Sequence, residues 1–193
     1  MNKNRLEAFS DGVLAIIITI MVLELKPPHD ASPAVLLGLL PIFLSYVLSF
    51  IFVGIYWNNH HHTFHACRRV SGGVLWANLH LLFWLSLVPF TTAWMGENHF
   101  AQWTVFVYGL NLLLCAIAYT IMLRLLIAIE GPESTIAHAI GKDRKGFASL
   151  CLYVSGLALL FLHPYLGMAC YVAVALIWLI PDRRIARALS QEH

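Results

Sequence analysis

Six apolar runs follow one another along the chain, separated by short polar intervals. A helix that crosses a bilayer needs roughly 20 mainly apolar residues. Leu36–Trp57 supplies one without a charge, and Val74–Trp94 a second, interrupted only by Asn78 and His80. Val105–Leu123 is a third, bounded by Arg124. Phe147–Leu162 and Tyr165–Ile180 flank His163-Pro164. Together they are too long for one crossing, and proline after histidine favours a turn, so they predict a tight helical hairpin. Each arm is short, which calls for a thinned bilayer or snorkelling ends. A re-entrant hairpin that does not cross twice is the alternative.

The first run is the shortest, because only Gly12–Leu23 is uncharged between Asp11 and Glu24. A signal peptide would begin with a basic stretch, as Lys3 and Arg5 do. Glu7 and Asp11 are acidic in that stretch, and no convincing A-x-A cleavage site follows. The better reading is a helix from about Leu6 to Leu25 whose polar ends face protein or water. The expected architecture is an all-α integral membrane domain over residues 1–193, with spans at 6–25, 36–57, 74–94, 105–123, 147–162 and 165–180.

Composition supports a membrane setting, with 60% hydrophobic residues, 11% charged and a mean hydropathy of +0.74. Soluble domains carry about 25% charged residues. The basic residues then fix orientation. With the N-terminus cytoplasmic, the N-tail, the 58–73 and 124–146 loops and the C-tail hold Lys3, Arg5, Arg68, Arg69, Arg124, Lys142, Arg144, Lys145, Arg183, Arg184 and Arg187. Lys26 alone falls outside. The positive-inside rule therefore places both termini in the cytoplasm, and an odd number of spans would scramble the asymmetry.

Charged groups inside a membrane mark functional sites by default, and R-L-E-A-F-S-D at Arg5–Asp11 opens directly into the first apolar run. Asp11 has three readings: a folding lock paired with Arg5, Ser10, His61, Asn78 or His80, a direct ion ligand, or a proton relay. His60, His61, His62 and His65 cluster at the end of the second span, and His80 lies within the third. His61 and His65 share a helix face and match two zinc ligands, but no H-E-x-x-H is present. A hydrogen-bonded helix tie and pH sensing are the other readings of these histidines. Trp57, Trp76, Trp94, Trp103 and Trp178 lie near span ends, as interfacial anchors do. The four cysteines form no C-x-x-C pair, so a disulfide or zinc framework is not expected.

No nucleophile elbow, Walker loop or pair of close carboxylates appears, so a soluble type of enzyme is not expected. The T-V-G-Y-G filter of ordinary potassium channels is missing too. At about 100° per residue, Ile16, Ile20 and Leu23 fall within roughly 60° of one another on the first helix. Thr19 lies beside this stripe and Asp11 nearly opposite. Such a stripe suits lipid contact or packing as well as a pore wall, and the pattern does not choose.

The residues do resemble a family. R-x-x-x-F-S-D at Arg5–Asp11, the G-V-x-A-I-I-x-T-I-M-V-L-E-L run after it, G-I-Y-W-N-N-H-H-H-T-F (Gly54–Phe64) and L-S-L-V-P-F-T-T (Leu85–Thr92) resemble the bacterial relatives of the lysosomal potassium channel, the transmembrane protein 175 family. The resemblance implies a six-helix subunit, one copy where animal relatives carry two, that assembles as a homotetramer around a central pore. It implies a potassium-selective channel of the bacterial inner membrane, without cofactor or resident metal, whose partners are potassium ions, lipid and identical subunits, and not nucleic acid. By motif alignment it places Ile16, Ile20 and Leu23 at the constriction and Thr19 at a selectivity position. Arg5, Phe9, Ser10 and Asp11, with His61 and His80, become a structural network that anchors the first helix. A proton-coupled secondary transporter, motivated by Asp11 and the histidines, and an intramembrane metalloenzyme using His61 and His65 are the alternatives.

Overall fold

The computed structural model describes residues 3–29, 32–141 and 143–179, and within them the chain is all-helical. Ile180, Lys142 and the basic tail residues Arg183, Arg184 and Arg187 lie outside the described residues. Four helical units are long and apolar enough to cross a membrane: Lys3–Leu23, Leu40–His65, Gly72–Glu97 and Gln102–Glu130.

The first unit is α1 (Lys3–Leu23). A short α2 (Pro33–Gly38) then breaks at Leu39 before α3 (Leu40–His65), which has Pro41 in its first turn, where a missing N–H costs nothing. The polar N-N-H-H-H run was expected in a loop and instead continues α3 by two turns. Its inner face explains why: Ser45, Ser49, Phe52, Tyr56, His60 and Phe64 are buried at intervals of three or four residues. Leaving the helix at Trp57 would lose the last of these.

The third unit is bent. It divides into α4 (Gly72–Ser86) and α5 (Val88–Glu97), with Pro89 in the first turn of α5. Proline has no N–H to offer the carbonyl four residues back, so Leu85 loses its helical donor. The hydroxyls of Thr91 and Thr92 turn back onto the main chain beside the bend, Thr92 reaching the Val88 carbonyl at 2.6 Å. The fourth unit, α6 (Gln102–Glu130), runs past Arg124 and stops at Gly131, whose φ of 96° favours glycine. After the short α7 (Thr135–Ile140) come α8 (Arg144–Leu159) and α9 (Pro164–Leu179). These last two have 16 residues each, about 24 Å of helix against a hydrocarbon core of about 30 Å.

Packing centres on α6, which touches α4, α5, α8 and α9. α1 lies against α3, α4 and α5, while the α8–α9 hairpin covers α6 and α3. The hairpin closes tightly because α8 and α9 meet through glycines. A Cβ on Gly167 would press on Leu160, and one on Gly156 on the Tyr171 ring. Two apolar clusters fill the interior. One includes Leu14, Leu81, Leu85 and Cys115, the other Phe52, Tyr108, Tyr153 and Tyr171.

Candidate functional site

The first helix presents two chemically different faces. Leu6, Ser10, Leu14, Ile17 and Met21 recur every three or four residues and are buried against the neighbouring helices. Ile16, Ile20 and Leu23 are 58%, 42% and 76% exposed. A stripe of branched apolar side chains thus faces away from the subunit's own core. Thr19 is exposed beside it, and its hydroxyl donates to the Ile16 carbonyl at 2.9 Å. With the proton used inside the helix, the oxygen lone pairs point outward. Ile16 and Ile20 also edge a groove of about 610 Å³ against Pro89, Phe90 and Trp94, with Glu24 and Glu97 along it.

Toward the start of α1, the buried face is held by a directional hydrogen-bond chain. Ser10, fully buried, donates its hydroxyl proton to the Leu6 carbonyl at 2.9 Å. It therefore accepts from Asn78 Nδ2, also at 2.9 Å. That sets the amide's orientation, so Asn78 Oδ1 faces His60 and the imidazole donates from Nε2 at 2.8 Å. The Nε2–H of His60 completes the chain, with its ring against Phe64. One serine, one amide and one imidazole tie α1, α4 and α3 together.

The network differs in membership from the one the sequence suggests. Ser10 belongs to it. The anchoring histidine is His60, not His61 or His80, and the link is Asn78. His61 is exposed and stacks between Trp57 and His65, while His80 accepts from Trp84 one turn along its own helix. Asp11 is exposed, and its partner is the Trp57 indole, which donates to Oδ1 at 3.1 Å. None of Arg5, Ser10, His61, Asn78 or His80 fills that place. Arg5 and Phe9 are exposed as well, but on the face of α1 that carries Ile16, well round the helix from Asp11. Among the described residues, no three His, Cys, Asp or Glu side chains gather as metal ligands.

Two further ties escaped the sequence reading. Lys3 reaches from the first turn of α1 to the carbonyls of Phe64 and Cys67 at 2.9 and 3.0 Å, just where α3 ends. Glu130, at the end of α6, accepts the main-chain N–H groups of Arg68 and Arg69 at 2.8 and 2.7 Å. Cys67 is buried between them, and burial, reinforced by the Glu130 charge, pushes its thiol up to about 12. By sequence Lys3 falls in the N-tail and Glu130 in the 124–146 loop, and neither tie follows from that placement. Deeper in, Ser49 joins Tyr108 of α6 at 3.0 Å and Thr92 of α5 at 2.7 Å.

Against known proteins, residues 5–89 match a family model described as the endosomal/lysosomal potassium channel TMEM175. Over 191 residues the chain is 56% identical to a potassium channel of Chryseobacterium sp. (strain P1-3), covering 99% of this chain and 100% of that one. It is 37% identical over 128 residues to a potassium channel of Streptomyces collinus, covering 62% of each. The fold superimposes with a TM-score of 0.81 on the crystal structure of a lysosomal potassium-selective channel TMEM175 homolog from Chamaesiphon minutus. That match is at 30% identity and covers 93% of this chain and 97% of the other.

Proposed function

The chain belongs to the TMEM175 family of potassium channels, and on that premise we propose that four copies enclose a central pore lined by α1. It is a multi-pass membrane protein and a potassium channel, not an enzyme. In the proposed assembly each subunit crosses the bacterial inner membrane six times with both termini cytoplasmic. The eleven-to-one distribution of basic residues supports that orientation.

The outward stripe of Ile16, Ile20 and Leu23 is the observation that carries the reading. The stripe lies outside the subunit's own core, so it is available to face either lipid or a shared axis, and the family resemblance favours the axis. Four such stripes around an axis make a narrow apolar ring, which excludes ions by dewetting when closed. Conduction then requires the ring to widen or rotate. Thr19, with its oxygen lone pairs free, supplies four weak dipoles that favour a partly dehydrated potassium ion. The network of Ser10, Asn78 and His60 gives α1 a fixed base, and Asp11 adds a tie to Trp57 of α3.

Reversal potentials under potassium/sodium gradients test the selectivity in proteoliposomes, and single-channel currents in planar bilayers separate a channel from a carrier. Ile16→Asn or Leu23→Asn should wet the constriction and raise conductance. Thr19→Val should shift the reversal potential, and Thr19→Ser should preserve it. If cysteines at 16, 20 and 23, in a background without Cys67, Cys115, Cys151 and Cys170, stay unlabelled by water-soluble thiol reagents in conducting channels, α1 does not line the pore.

A further inference from the structure

Between the two apolar clusters α6 places a side chain that belongs to neither. Asn111 is 4% exposed, and neither its Oδ1 nor its Nδ2 meets a hydrogen-bond partner among the described residues. Buried polar atoms are almost always paired, with protein or with ordered water. In a lipid setting no bulk solvent is at hand to relieve an unpaired amide.

Its level in the bundle is fixed by its neighbours on the same face of α6. One turn to one side, Tyr108 reaches Ser49, which in turn holds Thr92 of α5. One turn to the other side, Cys115 shares a cluster with Leu85 and Val88. Asn111 therefore stands at the height of the bend between α4 and α5, on the helix that packs against both. At that bend Pro89 deprives the Leu85 carbonyl of its helical donor. A primary amide without partners among the described residues and a carbonyl that has lost its i+4 helical donor stand near one level of the bundle.

We infer that the bend carries a resident water held by Asn111. The water accepts from the Nδ2 hydrogen that lies on the same side as Oδ1 and returns one hydrogen to Oδ1, closing a six-membered ring. Its other hydrogen goes to the Leu85 carbonyl. One molecule thus makes three hydrogen bonds, the number typical of buried waters. The consequence is mechanical. α4 is pinned to α1 through Asn78 and Ser10, whereas α5 backs the groove beside Ile16 and Ile20. A water at the joint lets the angle between α4 and α5 change without breaking a main-chain hydrogen bond. This gating role, unlike the water site, rests on the reading of α1 as the pore wall.

Water-edited solid-state NMR on the full chain in lipid bilayers, with nitrogen-15 in the asparagine side chains, tests the site directly. The Asn111 signal is the one that disappears in Asn111→Leu. It should gain magnetisation from water as fast as exposed Asn98, whereas buried and protein-paired Asn78 should gain it slowly. Pro89→Ala restores a donor to the Leu85 carbonyl and should slow the transfer to Asn111 in a chain that keeps the asparagine. It also identifies the resonance by its shift if Asn111→Leu fails to fold. Transfer to Asn111 as slow as to Asn78 overturns the proposal, as does an Asn111→Leu channel with a raised Tm, since that is the response of an unpaired amide. Asn111→Leu should also change open probability at unchanged potassium preference. Fast transfer without that change keeps the water and removes only its part in gating.

Discussion

Asn78 Nδ2 donates to Ser10 Oγ at 2.9 Å across the contact between α4 and α1. The amide works in both directions, since its oxygen also accepts from His60. Asn78→Leu strands the imidazole N–H and removes the donor to Ser10. A buried group left unpaired costs about 1–3 kcal/mol, so we expect a clear fall in Tm in detergent. Asn78→Asp still accepts from His60 and offers Ser10 a proton only while its carboxyl is protonated, so its Tm should fall less than that of the leucine variant at mildly acidic pH. Equal losses in both would mean that shape, not hydrogen bonding, matters at position 78.

The partnership of Asp11 with Trp57 changes the expected cost at position 11. A buried ion pair broken on one side costs about 3–5 kcal/mol, but Asp11 is exposed and holds one indole N–H. A single lost hydrogen bond costs about 0.5–1.5 kcal/mol. Asp11→Asn keeps an acceptor oxygen, so it should be milder than Asp11→Ala. Trp57→Phe should match Asp11→Ala, and the double variant should add little, which a thermal double-mutant cycle measures.

Tyr171 gives a prediction of opposite sign. Its ring is wedged between Gly109 and Gly156, and its hydroxyl has no partner among the described residues. Tyr171→Phe removes an unpaired buried oxygen and should leave Tm unchanged or raise it. Gly109→Ala places a methyl against that hydroxyl and should destabilise the hairpin by about 1–3 kcal/mol through overpacking. Combining the two should recover part of the loss.

Cys67 should resist alkylation. With its thiol pushed up to about 12, almost no thiolate exists at pH 8, and the sulfur is buried. Iodoacetamide labelling of native protein, read by mass spectrometry, should leave Cys67 unmodified, and labelling should be complete once the chain is denatured. The folded state holds this proton more tightly than the unfolded one. Its contribution to stability is therefore full below the ordinary thiol range and declines as the pH rises from about 9 toward 12.

The apolar runs carried most of the fold because helix length and hydrophobicity are properties of single segments. Which side chain on a segment faces inward is set by its neighbours. Among His60, His61, His62 and His65 the sequence offers no means of choosing, and only the packing of α3 turns His60 inward. Trp57 read as an interfacial anchor, which its exposure fits, but its N–H also binds Asp11. Trp178 differs from the other anchors, being partly buried with its indole N–H on Ser149. The bend at Pro89 was legible in principle, since a proline inside an apolar run removes a helical hydrogen bond wherever the run packs. The Ile16, Ile20 and Leu23 stripe was visible as a stripe, while its outward exposure required the whole subunit.

The ties made by Lys3 and Glu130 have a consequence for how this protein can change over time. Both side chains hold the backbone of residues 64–69, Lys3 through carbonyls and Glu130 through amides. The identities of Arg68 and Arg69 do not enter, so that turn is free to drift in sequence while the ends of α1, α3 and α6 stay fastened. Only proline, which has no N–H, would undo the Glu130 contact from the other side. A comparison of side chains along this turn would report divergence where the architecture has not moved.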